Sequence, residues 1–79
     1  MGEWHYLYNS KAWRRRRRLW LQHQPFCQEC QKQNRLVFGN VVDHVIPHKG
    51  DLALFWDIGN LQTLCSACHG VKSEKENYT

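Results

Sequence analysis

The stretch that decides the fold is residues 41–48, which read VVDHVIPH. Its valines and isoleucine favour a β-strand, and Pro47 ends the run because proline has no backbone N–H to donate to a strand ladder. We therefore predict a strand over residues 41–46. Asp43 and His44 place a carboxylate and an imidazole on this otherwise apolar strand, so the strand is a candidate functional element as well as a core element.

Short apolar runs on either side of this strand are its candidate partners. Residues 36–38 are rich in β-forming residues, and Gly39 and Asn40 form a turn signal, so we predict a hairpin between this run and the first strand. Residues 61–64 are predicted to form a further strand that returns along the first. Residues 48–59 between them are typical of a loop.

The N-terminal part of the chain is predicted to be a helix over about residues 10–23. Asn9 and Ser10 are good N-cap residues, apolar residues then recur at spacings near 3.6, and Pro25 ends the pattern. The apolar stripe includes Trp13 and Trp20. We expect these two side chains in the core, the alternative being that they stack on nucleic-acid bases.

Two further helical segments are predicted in the second half of the chain. Residues 52–56 fit a single helical turn inside the loop. Ser66 is the predicted N-cap of a last helix that runs to about Asn77. Gly70 is a poor helix former in this helix unless another backbone segment or a ligand comes close to it.

Five consecutive arginines, residues 14–18, concentrate the positive charge near the N-terminus. Together with Lys11 and against Glu3 they give the first 18 residues a net charge of +5, while residues 19–79 carry −1, which makes up the +4 of the whole chain. A cationic arm beside a near-neutral body suits a polyanion such as nucleic acid, because each neutralised phosphate releases condensed counterions.

The five arginines cannot all have the same surroundings, since the apolar stripe occupies one face of the helix. At least Arg16 or Arg17 must flank the stripe and extend its guanidinium outward. We predict contacts to nucleic-acid phosphates from Arg14, Arg15 and Arg18. The alternative is a basic helix face that is simply solvated.

The four cysteines form two C-x-x-C pairs, Cys27 with Cys30 and Cys65 with Cys68. A chain of 79 residues holds one small domain whose core supplies only about 3–5 kcal/mol, so an additional staple is expected. Two disulfides or one metal ion could supply it. Two pairs separated by 34 residues fit a tetrahedral structural zinc, whose four thiolates leave no open position for catalysis.

The compartment bears on the choice between disulfides and metal. The N-terminus lacks an apolar run of signal-peptide length, and no stretch approaches the roughly 18 apolar residues of a membrane span. We therefore expect a cytoplasmic protein with no membrane partner. Thiols stay reduced in the cytoplasm, and paired cysteines there more often bind metal than form a bridge.

Three segments of this chain, taken together, resemble the HNH endonuclease family: residues 43–47 (DHVIP), 60–65 (NLQTLC) and 68–73 (CHGVKS). The resemblance extends over residues 27–73 and includes both cysteine pairs. It implies a small α+β protein with the ββα-metal (His-Me finger) fold, to which an N-terminal helix and a zinc knuckle pair are added. We expect one domain, with a basic helix and lead-in over residues 1–26 and a zinc-stapled nuclease core over residues 27–79.

The resemblance also implies roles for four polar residues. Asp43 falls on the family's metal-binding acid, His44 on the general base, Asn60 on the asparagine that steadies the loop, and His69 on the last histidine, a metal ligand. A neutral imidazole with an ordinary pKa near 6.5 can accept a proton from water. A divalent ion would stabilise negative charge on the phosphate, and this ligand pair admits Mg²⁺, Mn²⁺, Ni²⁺ or Zn²⁺.

Three points in this site stay open at the level of the sequence. Neighbours on a regular strand point to opposite faces, so the run must twist or end near Asp43 and His44 if they share a site. Lys72 follows His69 by one helical turn and is predicted to bind phosphate, the alternative being a solvated lysine. His48 either touches the metal or phosphate or is an ordinary loop histidine.

The opening of the chain, with Tyr8, Ser10, Trp13 and the arginine run, combines with residues 47–51 to resemble the small HNH proteins of tailed bacteriophages. That family is associated with terminase and genome packaging. The resemblance therefore implies a phage terminase as a partner and the host cytoplasm as the location.

The predicted function is that of a metal-dependent DNA endonuclease that nicks or cuts duplex DNA. One metal site addresses one phosphate at a time, and no heptad repeat favours a strong dimer, so we expect a monomer that nicks first. The alternative is a non-catalytic zinc-ribbon module that binds nucleic acid. The pair Asp43–His44 together with His69 favours the enzyme, because a binding module has no need of these residues.

Overall fold

Residues 4–76 are described by the computed structural model, and they form four α-helices, two short 3₁₀ helices and a two-stranded sheet. In chain order the elements are a 3₁₀ helix His5–Asn9, α1 Lys11–His23, α2 Gln28–Lys32, β1 Val41–His44, α3 Leu52–Trp56, a 3₁₀ helix Ile58–Asn60, β2 Leu61–Leu64 and α4 Ser66–Glu76. This is the small α+β architecture that the sequence predicts. Within the described part of the chain, no helix combines the length and apolarity needed to cross a membrane.

The sheet pairs β1 with β2 in antiparallel register, with Val41 opposite Leu64 and His44 opposite Leu61. The prediction that residues 61–64 return along the first strand is therefore confirmed. The strand stops at His44, two residues earlier than predicted. Beyond it the backbone N–H of Val45 donates to the carbonyl of Asn60 (2.8 Å), which closes the ladder at the start of β2.

The predicted hairpin with its turn at Gly39 and Asn40 is wrong. Phe38 instead forms an isolated antiparallel bridge with Phe26, and the two rings stack with centroids 4.9 Å apart. Gly39 is needed for a close approach, since a Cβ at this position would lie 2.9 Å from the carbonyl oxygen of Leu64. The apolar run before Gly39 therefore packs with the loop around the first cysteine pair and does not pair with β1. The partner of β1 is β2.

Helix α1 begins as predicted at Ser10, whose Oγ accepts a hydrogen bond from the backbone N–H of Trp13 (3.0 Å). Trp13 is only 4% exposed. Trp20 packs against the same core, and its indole N–H donates to the Thr63 hydroxyl (3.0 Å). Both tryptophans are core residues, as the sequence favoured.

Buried side chains form two clusters that meet at β2. The larger cluster joins α1, the sheet and α3, and its buried members are Leu7, Trp13, Val42, Phe55 and Leu61. The smaller cluster contains Leu64 and the buried thiols of Cys27 and Cys30. Because Leu61 and Leu64 stand at the two ends of β2, this strand connects the aromatic core to the cysteine cluster.

Helix α4 begins one residue earlier than predicted. The carbonyl of Cys65 accepts the first helical hydrogen bond from the His69 N–H (3.0 Å), so Cys65 is the N-cap and Ser66 is the first helical residue. The predicted end at Asn77 lies outside the described residues. No atom in the described part of the chain comes within 4 Å of a Cβ built at Gly70, so no close approach explains this glycine.

Candidate active site and metal centres

The four cysteines converge on one point, with all of their Sγ atoms within 4.8 Å of one another. Cys30 Sγ lies 3.9 Å from Cys65 Sγ and 3.8 Å from Cys68 Sγ. Four sulfurs, each about 2.3 Å from a tetrahedral zinc ion, stand about 3.8 Å apart. The arrangement therefore fits a single zinc ion, while a disulfide would require sulfurs about 2.0 Å apart.

Hydrogen bonds divide the protons of the cysteine cluster unequally. Burial raises the pKa of Cys27, but hydrogen bonds from the backbone N–H groups of Cys30 and Cys65 and from the thiols of Cys30 and Cys68 together outweigh it and lower that pKa to about 6. Hydrogen bonding to Cys65, followed by burial, raises the pKa of Cys68 to about 12. Cys27 is therefore the thiol that most readily becomes a thiolate, the form that binds metal.

Asp43 and His69 come together on the side of β1 that faces α4. Asp43 Oδ1 lies 3.7 Å from His69 Nε2. The other carboxylate oxygen, Oδ2, accepts hydrogen bonds at 3.0 Å from the Gln62 amide and from the Lys72 ammonium. These two contacts fix the carboxylate so that Oδ1 remains directed towards the imidazole.

The separation of these two atoms is compatible with a shared ion. Two ligands that each bind a divalent ion at about 2.1 Å can be no more than about 4.2 Å apart. The 3.7 Å between Asp43 Oδ1 and His69 Nε2 is within that limit. The His69 side chain is 40% exposed, so this face opens to solvent.

His44 lies on the opposite side of β1, inside the aromatic core. Its ring stacks between Trp13 (centroids 5.4 Å) and Phe55 (5.0 Å), and the residue is 5% exposed. His44 Nε2 lies 3.0 Å from the carbonyl oxygen of Phe55, an atom that can only accept, so Nε2 carries the proton. Burial lowers the pKa of His44, partly offset by that hydrogen bond, so the ring stays neutral near pH 7.

The second ring nitrogen of His44, Nδ1, makes no hydrogen bond to any residue in the range 4–76. Across that same range, no buried side-chain nitrogen or oxygen lacks a partner. Nδ1 therefore keeps some contact with solvent, although most of the ring is covered. The tautomer fixed by Phe55 leaves this nitrogen with its lone pair.

For Asp43 and His44 to share a site, the strand had to twist or to end near them. It does end at His44, yet the two side chains still point to opposite faces. Lys72 links the two sides. Its ammonium contacts the Asp43 carboxylate and also donates to the backbone carbonyl of His44 (3.0 Å). Lys72 is thus tied to β1 beside the Asp43–His69 pair, and the alternative of a solvated lysine is wrong.

Asn60 holds the segment that follows β1. Its Oδ1 accepts from the Ile46 N–H (2.8 Å), and its Nδ2 donates to the carbonyls of Ile46 (3.0 Å) and Leu54 (3.1 Å). The residue is 5% exposed. One side chain therefore connects the end of β1, helix α3 and the start of β2, which is the arrangement expected of a residue that steadies the loop.

Two polar residues of this region were not assigned a role from the sequence. His48 is 5% exposed, and its Nε2 lies 2.7 Å from the Tyr8 hydroxyl. Gln62 holds Asp43, and the register provides a signal for it, because a strand over residues 61–64 returning along β1 places Gln62 directly opposite Asp43. No comparable local signal exists for Tyr8 and His48, which are 40 residues apart.

The arginine run divides into two groups on α1. Arg16 donates to the Trp56 carbonyl (3.0 Å), and Arg17 donates to the Asn40 carbonyl (2.7 Å). Arg17 is itself exposed, and so are the three arginines that make neither of these contacts, namely Arg14, Arg15 and Arg18. The helix therefore docks through two of its guanidinium groups and presents the remaining three to solvent.

Comparison with known proteins agrees with this geometry. The family model described as HNH endonuclease matches residues 27–75, which is more than half of the chain. The chain belongs to the HNH endonuclease family. It is therefore a nuclease, a hydrolase of phosphodiester bonds.

A solved structure extends the comparison beyond the matched residues. The crystal structure of the HNH endonuclease of the deep-sea thermophilic bacteriophage GVE2, with manganese ion, superposes with a TM-score of 0.83 at 33% sequence identity. The match covers 94% of this chain and 82% of that chain, so it includes the N-terminal helix as well as the HNH core. Among curated protein sequences, none matches significantly.

Proposed function

We propose that this HNH endonuclease hydrolyses phosphodiester bonds of duplex DNA with a divalent metal ion held by Asp43 and His69. The observation that carries the proposal is the 3.7 Å approach of Asp43 Oδ1 to His69 Nε2, with Asp43 Oδ2 held by Gln62 and Lys72. When bound, the ion would supply Lewis-acid stabilisation of negative charge on the phosphate. The manganese named in the phage relative makes Mn²⁺ the first ion to test, beside Mg²⁺, Ni²⁺ and Zn²⁺.

In this proposal His44 is the general base. The Phe55 carbonyl holds the proton on Nε2, so Nδ1 is the atom that accepts a proton from the attacking water. Stacking between Trp13 and Phe55 prevents the ring from turning away. Asn60 is a positioning residue, because it holds the backbone segment that follows His44.

DNA binding is assigned to the exposed cations. Arg14, Arg15 and Arg18 are placed to contact phosphates along the duplex, since they have no role in docking α1. Lys72 lies next to Asp43, where its charge is available to the scissile phosphate. We place a structural zinc ion in the four-cysteine cluster, where it would fix the start of α4. Because His69 follows the zinc ligand Cys68 directly, the zinc ion would also position His69.

The decisive experiment is a time course on supercoiled plasmid at limiting enzyme, repeated with each of the four divalent ions. Asp43→Asn and His69→Ala should lose cleavage, while His23→Ala, an exposed histidine of α1, should retain it as the matched control. Open-circular product should accumulate before linear product, because one metal site addresses one phosphate at a time. Direct conversion to linear DNA would indicate a dimer, against the monomer proposed here.

DNA binding without cleavage would favour the alternative interpretation of the sequence, a non-catalytic zinc-ribbon module. If the wild-type chain cleaves with none of the ions but still binds DNA, the endonuclease proposal fails and a non-catalytic zinc-ribbon module remains. Catalysis by the cysteine cluster is not expected in either case, because four thiolates saturate a tetrahedral ion.

The resemblance to phage proteins supports a further proposal, that the enzyme acts with a phage terminase during genome packaging in the host cytoplasm. The similarity to the HNH endonuclease of a bacteriophage supports this setting. Gel filtration of this chain with and without the terminase encoded in the same genome tests it. A stable co-eluting complex would support the proposal, and separate elution at micromolar concentration would contradict it.

A further inference from the structure

The buried side chain of His48 and the part-buried side chain of Tyr8 form a polar pair that the mechanism above does not use. His48 Nε2 lies 2.7 Å from the Tyr8 hydroxyl oxygen, and His48 Nδ1 lies 3.0 Å from the backbone N–H of Gly50. The turn after His48 makes the second contact. Lys49 and Gly50 both have positive φ (49° and 88°), which folds the Gly50 N–H back onto the ring and favours glycine at that position.

These two contacts determine where the protons are. The Gly50 N–H can only donate, so His48 Nδ1 must hold a lone pair. A neutral imidazole has one proton, which is therefore on Nε2, and it donates to the Tyr8 oxygen. Burial and the neighbouring His44 both lower the pKa of His48, which agrees with a neutral ring.

It follows that the hydroxyl proton of Tyr8 must be directed away from His48. The Tyr8 oxygen makes no hydrogen bond to any other residue in the part of the chain that the structure describes, and its contact with His48 is only part-buried. Tyr8 therefore presents a fixed O–H donor that has no acceptor in residues 4–76. The protein sets the direction of this donor but does not use it internally.

This donor is located at the catalytic end of β1. The Tyr8 ring makes edge contacts with His44 (centroids 6.3 Å), Phe55 (5.3 Å) and Trp13 (5.6 Å), so the ring is held beside the general base. Burial and then the negative charge of Asp43 raise the pKa of Tyr8. The hydroxyl is thus protonated and within electrostatic reach of the carboxylate on the other face of the strand.

We propose that the Tyr8 hydroxyl donates a hydrogen bond to a non-bridging oxygen of the bound phosphodiester, and that His48 is the positioning residue that aims this donor. The inference rests on the endonuclease function proposed above. Negative charge on the non-bridging oxygens grows as the water attacks, so a donor of fixed direction stabilises the transition state more than the bound substrate. Tyr8 transfers no proton in this scheme.

The first test is Tyr8→Phe, which removes the hydroxyl and keeps the ring that packs on Trp13. Loss of one hydrogen bond to a charged oxygen should lower kcat by about 10- to 100-fold. DNA affinity of the zinc-loaded protein, measured without added catalytic ion, should change by no more than about twofold, as expected of a contact that strengthens only in the transition state. The acidic limb of the pH–rate profile, which reports His44, should not move. Tyr6→Phe, at a residue that is 66% exposed, is the matched control and should behave as wild type.

A phosphorothioate series separates a direct contact from a structural effect. Sulfur in place of one non-bridging oxygen is a poor hydrogen-bond acceptor, so wild type should slow on duplexes of the Rp or the Sp form. Tyr8→Phe should show a smaller decrease on that same form, because the contact is already lost. Equal decreases for the two proteins on both forms would overturn the proposal, as would a wild-type rate for Tyr8→Phe.

The role of His48 is tested with a pair of substitutions and with a spectrum. His48→Gln can still donate to the Tyr8 oxygen and should retain more activity per folded molecule than His48→Leu, which cannot. Long-range ¹⁵N–¹H NMR of the wild type should show His48 protonated at Nε2, and protonation at Nδ1 would overturn the assignment. The spectrum needs no cleavage, so it tests this pair even if Tyr8→Phe folds poorly.

The endonuclease function and the Tyr8 contact are contradicted by different results. If wild type cleaves DNA and Tyr8→Phe cleaves equally well, the endonuclease function stands and the Tyr8 proposal falls. If wild type cleaves no DNA with any of the four divalent ions, both fall together.

Discussion

Replacing Asn60 with alanine should destabilise this protein more than its position at the end of a short 3₁₀ helix suggests. The amide makes three hydrogen bonds, one accepted from the Ile46 N–H and two donated to the carbonyls of Ile46 and Leu54. It is 5% exposed. Alanine would remove all three contacts and release the segment that links β1 to α3.

The size of the effect can be worked from these contacts. A typical hydrogen bond contributes about 0.5–1.5 kcal/mol net, so three contribute about 1.5–4.5 kcal/mol. The Ile46 side chain is 57% exposed, so water can reach part of the released backbone and the upper limit is unrealistic. We expect a loss of about 3 kcal/mol, which moves a urea midpoint down by about 3 M at a slope near 1 kcal/mol per M.

The assay is urea unfolding of the zinc-loaded protein, followed by tryptophan fluorescence, with plasmid cleavage measured on the same samples. Asn40→Ala is the matched control, because the Asn40 side chain makes a single 3.4 Å contact on the surface and its loss should cost less than about 0.5 kcal/mol. Asn60→Asp should be at least as destabilising as alanine, since it turns a carboxylate towards two carbonyl oxygens. A midpoint shift below about 0.5 M for Asn60→Ala would show that these three hydrogen bonds contribute little to stability.

Four further outcomes are expected. Removal of zinc by a strong chelator, or Cys65→Ser, should unfold the chain because a small domain gains much of its stability from a structural metal, and a native circular-dichroism spectrum in chelator would contradict this. His44→Gln, which keeps most of the packed volume, should lower cleavage by about 10²–10⁴-fold while DNA binding measured by fluorescence anisotropy survives. Alanine at Arg14, Arg15 and Arg18 together should weaken binding to every DNA sequence and flatten its dependence on salt, whereas an unchanged slope would place that face against solvent or a protein. Stability should fall as the pH drops through 6.5, because burial lowers the pKa of His48 and the unfolded chain binds more protons than the folded one in that range. Urea titrations of His48→Gln at several pH values should show a smaller loss.

Local signals in the sequence were sufficient for the elements that depend on near neighbours. The helix α1 follows from the Ser10 cap and a 3.6-residue pattern, both of which act within a few residues. The cysteine cluster follows from two C-x-x-C pairs, because each pair binds within one tight turn and a metal has to be shared to complete four ligands. The exposure of Arg14, Arg15 and Arg18 was also foreseen, since α1 has one apolar face. The hydrogen bonds by which Arg16 and Arg17 dock the helix were not.

The hairpin failed for the opposite reason. Gly39 and Asn40 carry a turn signal, but glycine also permits close approach of another strand, and the local sequence does not distinguish these uses. Gly39 serves the close approach, because β2, which is 22 or more residues away in the sequence, packs against it and pairs with β1.

The sequence by itself determined which chemical groups are present: four thiols that fit one zinc ion, an aspartate and two histidines at family positions, and a cationic helix. Tertiary structure alone decided how they are arranged. It placed Asp43 with His69 and His44 with Trp13 on opposite faces of one strand, and it joined Tyr8 to His48 across 40 residues. The reason is physical, because the identity of a side chain fixes what it can donate, accept or bind, whereas its partner is whichever group the path of the folded chain brings within about 3 Å.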